Sequence, residues 1–174
     1  LDDRSRMDAV KQMFMAFRDR TDSLGDGQHH LGLLQFDNEV ETLLTPTAEL
    51  SRFEGVLDRL QKRGQTAIYS AIETAASVLT PIFDADPEHH ADLRILVLTD
   101  GQSNSGSSAQ AALNAAMSIG AKVDCILVGN APDANLRRIV GATNGECFQL
   151  QSLAAGFELL EAERVVSLHA RRGG

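Results

Sequence analysis

Apolar residues recur along this chain with two distinct periods. Between Ser5 and about Arg20, Met7, Val10, Phe14 and Phe17 fall at helical spacing with Met13 beside them, which predicts an amphipathic helix. Ser5 suits its N-cap, with Asp8 at the capping-box position. Thr21 to His30 is polar and glycine-bearing and reads as a loop. Leu31 to Phe36 reads as a strand, Asp37-Asn38 as a tight turn and Glu39 to Leu44 as a second strand. Ala48 to about Leu60 carries Leu50, Phe53, Val56, Leu57 and Leu60 at helical spacing. A loop with Gly64 follows. A further helix from Thr66 to about Phe83 sets Ile68, Ile72, Ala75, Ala76 and Leu79 on one side.

After a polar connection, Asp84 to Asp92, the pattern changes. Leu93 to Leu98 is nearly all apolar, without alternation, and ends in Thr99-Asp100-Gly101. A short unbroken apolar run predicts a strand buried on both faces, the kind found in parallel sheets. Ser107 to Ile119 is an alanine-rich helix, Lys122 to Val128 a strand, and Asp133 to about Thr143 a helix capped by Asp133. Gly145 to Leu150 is a last strand and Leu153 to about Leu168 a last helix. Strands that alternate with helices predict one doubly wound α/β domain over residues 1–174, with a mostly parallel sheet and helices on both faces.

The formal charge of −8 over 174 residues argues against nucleic acid or an anionic membrane as partner, because both require basic clusters. No apolar run reaches the length of a membrane span, and no signal peptide is visible. The chain opens with Leu1 and enters its first helix almost at once, as expected of a piece of a larger polypeptide. Cys125 and Cys147 both fall in predicted strands and are expected to be buried thiols rather than a disulfide. With no Asn-x-Ser/Thr sequon, an intracellular, cytoplasmic setting is the expectation.

Candidate chemistry centres on Asp100. In open parallel sheets ligands bind outside the carboxyl ends of strands, and a carboxylate flanked by the hydroxyls of Ser103, Ser105, Ser107 and Ser108 suits a hard cation. Three pieces lie in order: the Phe36-Asp37-Asn38-Glu39-Val40 hairpin, the Gly64-Gln65-Thr66-Ala67-Ile68-Tyr69-Ser70-Ala71-Ile72 loop and helix start, and Leu96-Val97-Leu98-Thr99-Asp100-Gly101. Their order, spacing and flanking strands resemble the von Willebrand factor type A domain over nearly the whole chain. The resemblance implies a mostly parallel sheet with one antiparallel edge strand. It also implies a metal-ion-dependent adhesion site on the upper edge, holding Mg²⁺ (or Mn²⁺ or Ca²⁺). Thr66 matches that family's second metal-binding loop and Asp100 its third. A protein ligand would complete the coordination with a carboxylate.

The family's first loop, Asp-x-Ser-x-Ser, has no match: Leu1-Asp2-Asp3-Arg4-Ser5-Arg6-Met7 places arginines at positions 4 and 6. The resemblance therefore implies an N-terminally truncated domain, lacking a central strand between those that begin at Leu31 and Leu93. Paired strands lie about 4.8 Å apart, so such a gap leaves two rows of backbone groups unmet, at roughly 1–3 kcal/mol for each buried one. The chain alone should then be unstable, re-pair, or borrow a strand. With one carboxylate and one hydroxyl in place of six oxygens, metal binding by the chain as it stands should be weak or absent.

Simpler roles stand beside these. Asp100 and Thr66 are also suitable helix caps, and Asp37 and Asn38 turn formers. His29-His30 and His89-His90 precede strands, without the spacing of a zinc site, and are expected to be solvated. Arg171-Arg172-Gly173-Gly174 is read as an arbitrary terminus. Gly101-Gln102-Ser103-Asn104-Ser105 lacks the last glycine of a nucleophile elbow, and no acid–base pair can be assembled, which points away from an enzyme. The leading expectation is a protein-interaction module. The alternative is a metal-independent scaffold domain of a larger intracellular protein, with a degenerate site.

Overall fold

The computed structural model describes residues 30–37, 39–49, 51–60, 67–99, 106–128 and 133–150, together with Asp8, Lys11, Gln12, Phe14, Met15, Arg18 and Asp19, all helical. They form β1 (Leu31–Phe36), β2 (Val40–Thr47), α1 (Ser51–Leu57), α2 (Ile68–Asp84), β3 (Arg94–Thr99), α3 (Ala109–Ser118), β4 (Lys122–Val128), α4 (Ala134–Ala142) and β5 (Cys147–Leu150). Two ladders result, β1-β2 and β3-β4-β5. The predicted cap Ser5, the predicted turn former Asn38 and the helix from Leu153 lie outside the described residues. Contacts group the described residues into two compact units, one drawn from 1–33 and 42–62, the other from 34–41 and 63–151.

In the first unit Leu33, Leu43, Leu44, Phe53 and Leu57 form the core, joined by Phe14, Met15, Leu31, Val56 and Leu60. Phe14 meets Phe53 edge to face, with ring centroids 6.4 Å apart. Arg18 lies 3.3 Å from Glu54. The second strand runs to Thr47, past the predicted end at Leu44, and includes Pro46. A proline is tolerated where the strand needs no N–H on that side. The helix after it accordingly starts at Ser51 rather than Ala48. Gly32 lies against this stretch: a Cβ there would come 3.0 Å from the Leu44 carbonyl oxygen and 3.2 Å from the Pro46 ring.

In the second unit β3, β4 and β5 are parallel. Ile95 pairs with Val123, Val97 with Cys125, and Cys125 in turn with Cys147. The helical faces of α2 (Ile68, Ile72, Ala76), α3 (Ala112, Leu113, Ala116) and α4 (Leu136, Ile139, Val140) join Ile95, Val97, Val123, Cys125 and Leu127 in one core. The side-chain period of 2 sets all five of those strand residues on one side of the sheet. Ala112 and Ala116 are fully buried, and their small side chains let α3 pack closely. The alternation along the chain, β3-α3-β4-α4-β5, is the α/β pattern that the sequence predicts.

One expectation about β3 needs correction. Its burial alternates: Ile95, Val97 and Thr99 are buried, whereas Arg94, Leu96 and Leu98 are half-buried. The strand buried on both faces is β4, where every residue from Val123 to Leu127 is buried, Asp124 included. β4 has a ladder partner on each side, and helices α3 and α4 contact it.

Candidate functional site

The site is built around the first turn of α2. Thr66 and Asp100 themselves lie outside the described residues. Ala67 follows Thr66 directly and is fully buried. Its N–H donates to the Asp37 carbonyl oxygen at 2.6 Å, which fastens the entry to α2 onto the turn that leaves β1. That turn is closed by Asp37 itself. Its Oδ1 accepts from the Glu39 N–H at 2.7 Å, and its own N–H donates to the Glu39 carbonyl at 2.9 Å, the side-chain-to-backbone geometry for which aspartate is favoured in turns. Asp37 is thus the turn former that its sequence position predicts.

The segment that follows Asp100 returns to the same helix turn. The Ser107 N–H donates to Ser70 Oγ at 2.7 Å, and the two hydroxyls lie 3.3 Å apart. Gly106 stands just before, with φ at +85°, a conformation that glycine adopts without steric cost. A Cβ there would collide with Ser70 Oγ and come 3.2 Å from the Ala67 Cβ. Only a glycine lets this loop pass so close to α2. Ser108 then caps α3 by accepting from the Ala111 N–H at 3.1 Å.

A third segment arrives from the end of β4. Asp133 caps α4 as predicted, its Oδ1 accepting from the Asn135 and Leu136 N–H groups at 3.0 Å each. The same oxygen accepts the Tyr69 hydroxyl at 2.6 Å. Burial, reinforced by the bond to Asp133, pushes the Tyr69 hydroxyl well above the ordinary tyrosine range. The phenol is held neutral and acts as a fixed donor.

Segments after β1, β3 and β4 therefore converge on one helix turn at the carboxyl ends of the strands. There, Ala67 and Ser70 are brought together with Asp37, with Ser107, seven residues after Asp100 in the sequence, and, through Tyr69, with Asp133. Sequence reasoning missed Ser70 and Tyr69. Ser70 lies four residues after Thr66 in the sequence, and that spacing is the signal that could have found it. Tyr69 is the one tyrosine of the chain, and nothing local marks its partner 64 residues away.

A threonine hydroxyl and an aspartate carboxylate, the groups that Thr66 and Asp100 carry, are hard oxygens that suit Mg²⁺ or Ca²⁺ rather than a soft metal. Among the described residues, no three His, Cys, Asp or Glu side chains gather in metal-binding geometry. His30, His89 and His90 are exposed, and His29 lies outside the described residues. His89 and His90 follow the opposite end of α2. The His89 ring stacks on Phe83 at 4.7 Å, and His90 is 3.3 Å from Glu88.

Comparison with known proteins agrees with this arrangement. Residues 3–162 match the family model of the von Willebrand factor type A domain. The chain is 28% identical over 173 residues to a probable bifunctional E2/E3 enzyme of Acanthamoeba polyphaga mimivirus, covering 97% of this chain but only 13% of that protein. Among solved structures it resembles a von Willebrand factor type A protein from Catenulispora acidiphila, with a TM-score of 0.73 and 21% identity over 90% of this chain and 37% of the other. It also resembles proximal thread matrix protein 1 of the mussel byssus in a form with zinc in its MIDAS motif. There the TM-score is 0.69 and the identity 19%, over 93% of this chain and 40% of the other. No described helix is long and apolar enough to cross a membrane. The match over most of the chain, with the α/β order and the convergence of loops at one sheet edge, places this protein in the von Willebrand factor type A domain family, a family of protein-interaction modules.

Proposed function

We propose that the chain is a non-enzymatic recognition module that binds a protein ligand at the carboxyl edge of its sheet, with Thr66 and Asp100 contributing to a divalent-cation site there. The observation that carries this reading is the double tether of α2's first turn: Ala67 to Asp37 at 2.6 Å and Ser107 to Ser70 at 2.7 Å. These bonds hold the flanks of the two loops at one place. A bound Mg²⁺ would supply a positive centre to which an acidic side chain of the partner could attach. Two protein oxygens are a sparse donor set, so affinity for the bare chain is weak. The chain spans 13% of the E2/E3 relative it matches. By that likeness, we propose that it serves a larger polypeptide, in the cytoplasm, as the part that selects a protein partner.

Mn²⁺ locates such a site even at low affinity, because its paramagnetism broadens nearby amide signals. Titrated into the chain, it should broaden Ala67, Ser107 and Ser108 before others, and Asp100→Asn should abolish that preference. Uniform broadening, or broadening centred on another acidic surface, would refute the metal role. A metal-independent binding face at the same rim is the second reading. It is favoured by the Oδ1 atoms of Asp37 and Asp133, which accept hydrogen bonds from within the fold instead of facing outward as donors to a cation.

A further inference from the structure

Cys125 and Cys147 occupy directly opposed positions on neighbouring parallel strands. Side chains of register partners in a parallel ladder leave the sheet on the same side. Both thiols accordingly meet, with Sγ atoms 2.7 Å apart. In-register strands lie about 4.8 Å apart, inside the range of Cα separations that a disulfide spans. The backbone around the pair is pinned on both strands. The Cys125 N–H donates to the Glu146 carbonyl at 2.9 Å, and the Glu146 N–H donates to Asp124 Oδ1 at 2.8 Å. Just upstream, the Gly145 N–H donates to the Val140 carbonyl at 2.9 Å.

We propose that this dithiol is an oxidation site, at which hydrogen peroxide converts Cys125 and Cys147 into a disulfide that staples β5 to β4. The two sulfurs differ in access, which sets the order of events. Cys125 is fully buried, whereas Cys147 is half-buried and is the one a small oxidant reaches. The Cys147 thiolate attacks peroxide, breaks the O–O bond and becomes a sulfenic acid, with hydroxide as the leaving group. Cys125 sulfur then attacks the Cys147 sulfur. The S–O bond breaks, and the departing hydroxide takes up the Cys125 proton as water. Two thiols and one peroxide give one disulfide and two waters, the thiols being oxidised and the peroxide reduced. Burial and the contact with Cys147 hold the Cys125 thiol protonated, so it is the resolving partner and not the first to react.

The experiment treats the full chain with hydrogen peroxide, then blocks remaining thiols in denaturant and maps peptides without reductant. The expected product is an intramolecular Cys125–Cys147 link that dithiothreitol reverses. It should form at least about tenfold faster in the folded chain than in the urea-unfolded one, since the fold replaces a loop-closing search by a fixed contact. Cys125→Ala should stop the reaction at a Cys147 sulfenic acid that dimedone traps. Cys147→Ser should leave Cys125 unreacted. Two blocked thiols after peroxide treatment would overturn the proposal, as would links only between copies or equal rates in the folded and unfolded chains.

Discussion

The Tyr69 hydroxyl donates to Asp133 Oδ1 at 2.6 Å, joining the first turn of α2 to the N-cap of α4 across 64 residues of sequence. Tyr69→Phe deletes this bond but leaves Asp133 with its two backbone donors. The expected loss is about 1 kcal/mol, the ordinary net worth of one hydrogen bond. Asp133→Ala also removes the helix cap and should cost about 2–3 kcal/mol. Urea denaturation of the two variants distinguishes them.

The same bond makes a pH prediction. Tyr69 holds its proton more tightly in the folded than in the unfolded chain. Its stabilisation is therefore complete below the unfolded tyrosine value of about 10 and declines as pH rises above it. The chain has one tyrosine, so phenolate absorbance reports Tyr69 alone. It should rise together with loss of circular dichroism, at a pH above that of free tyrosine. A phenolate signal at the ordinary pH, with the fold intact, would contradict this.

Gly106 and Ser70 should be energetically coupled. Gly106→Ala puts a Cβ against Ser70 Oγ in a left-handed conformation, for an expected cost of about 1–3 kcal/mol. Ser70→Ala in the same chain removes the colliding oxygen. The double variant should thus be more stable than the sum of the two single losses implies. A double-mutant cycle by thermal unfolding measures the difference.

Two nearby glycines should respond oppositely to alanine. Gly145 faces the Val123 backbone so closely that a Cβ would overlap its carbonyl group. Gly145→Ala should cost about 3 kcal/mol or more, because backbone cannot move aside as a side chain can. Gly141, within α4, has nothing near where a Cβ would stand. Gly141→Ala should stabilise by about 0.5–1 kcal/mol through helix propensity. Chemical denaturation of both variants gives the two signs.

Asp124 is 2% exposed in β4. Its Oδ2 lies 3.2 Å from Arg94 Nη1, and its Oδ1 accepts from the Glu146 N–H at 2.8 Å. Asp124→Ala strands a half-buried guanidinium, although Asp92 remains beside it at 2.9 Å. The expected cost is about 3 kcal/mol, at the low end for breaking a buried pair. Asp124→Asn keeps the Glu146 contact and should cost less. Equilibrium unfolding in guanidinium chloride, whose salt screens exposed pairs, tests both.

The periodicity of this chain determined the type and order of the described strands and helices from β1 to β5, because burying one face of a helix or a strand leaves a local signature. Lys122–Val128 was legible to the residue, and so was the Asp133 cap, whose partners are two and three residues away. Thr66 and Asp100 are read as metal ligands only through motif and resemblance, and both lie outside the described residues. What the pattern could not show depends on pairing between distant segments. The half-exposed face of β3, the clasp of Ser70 by Ser107, the Tyr69–Asp133 bond and the meeting of Cys125 with Cys147 are set by which elements become neighbours. Sequence spacing encodes neighbours three or four residues apart on a helix. Only the fold chooses those twenty or sixty residues apart, because that choice is made by sheet order and core packing together.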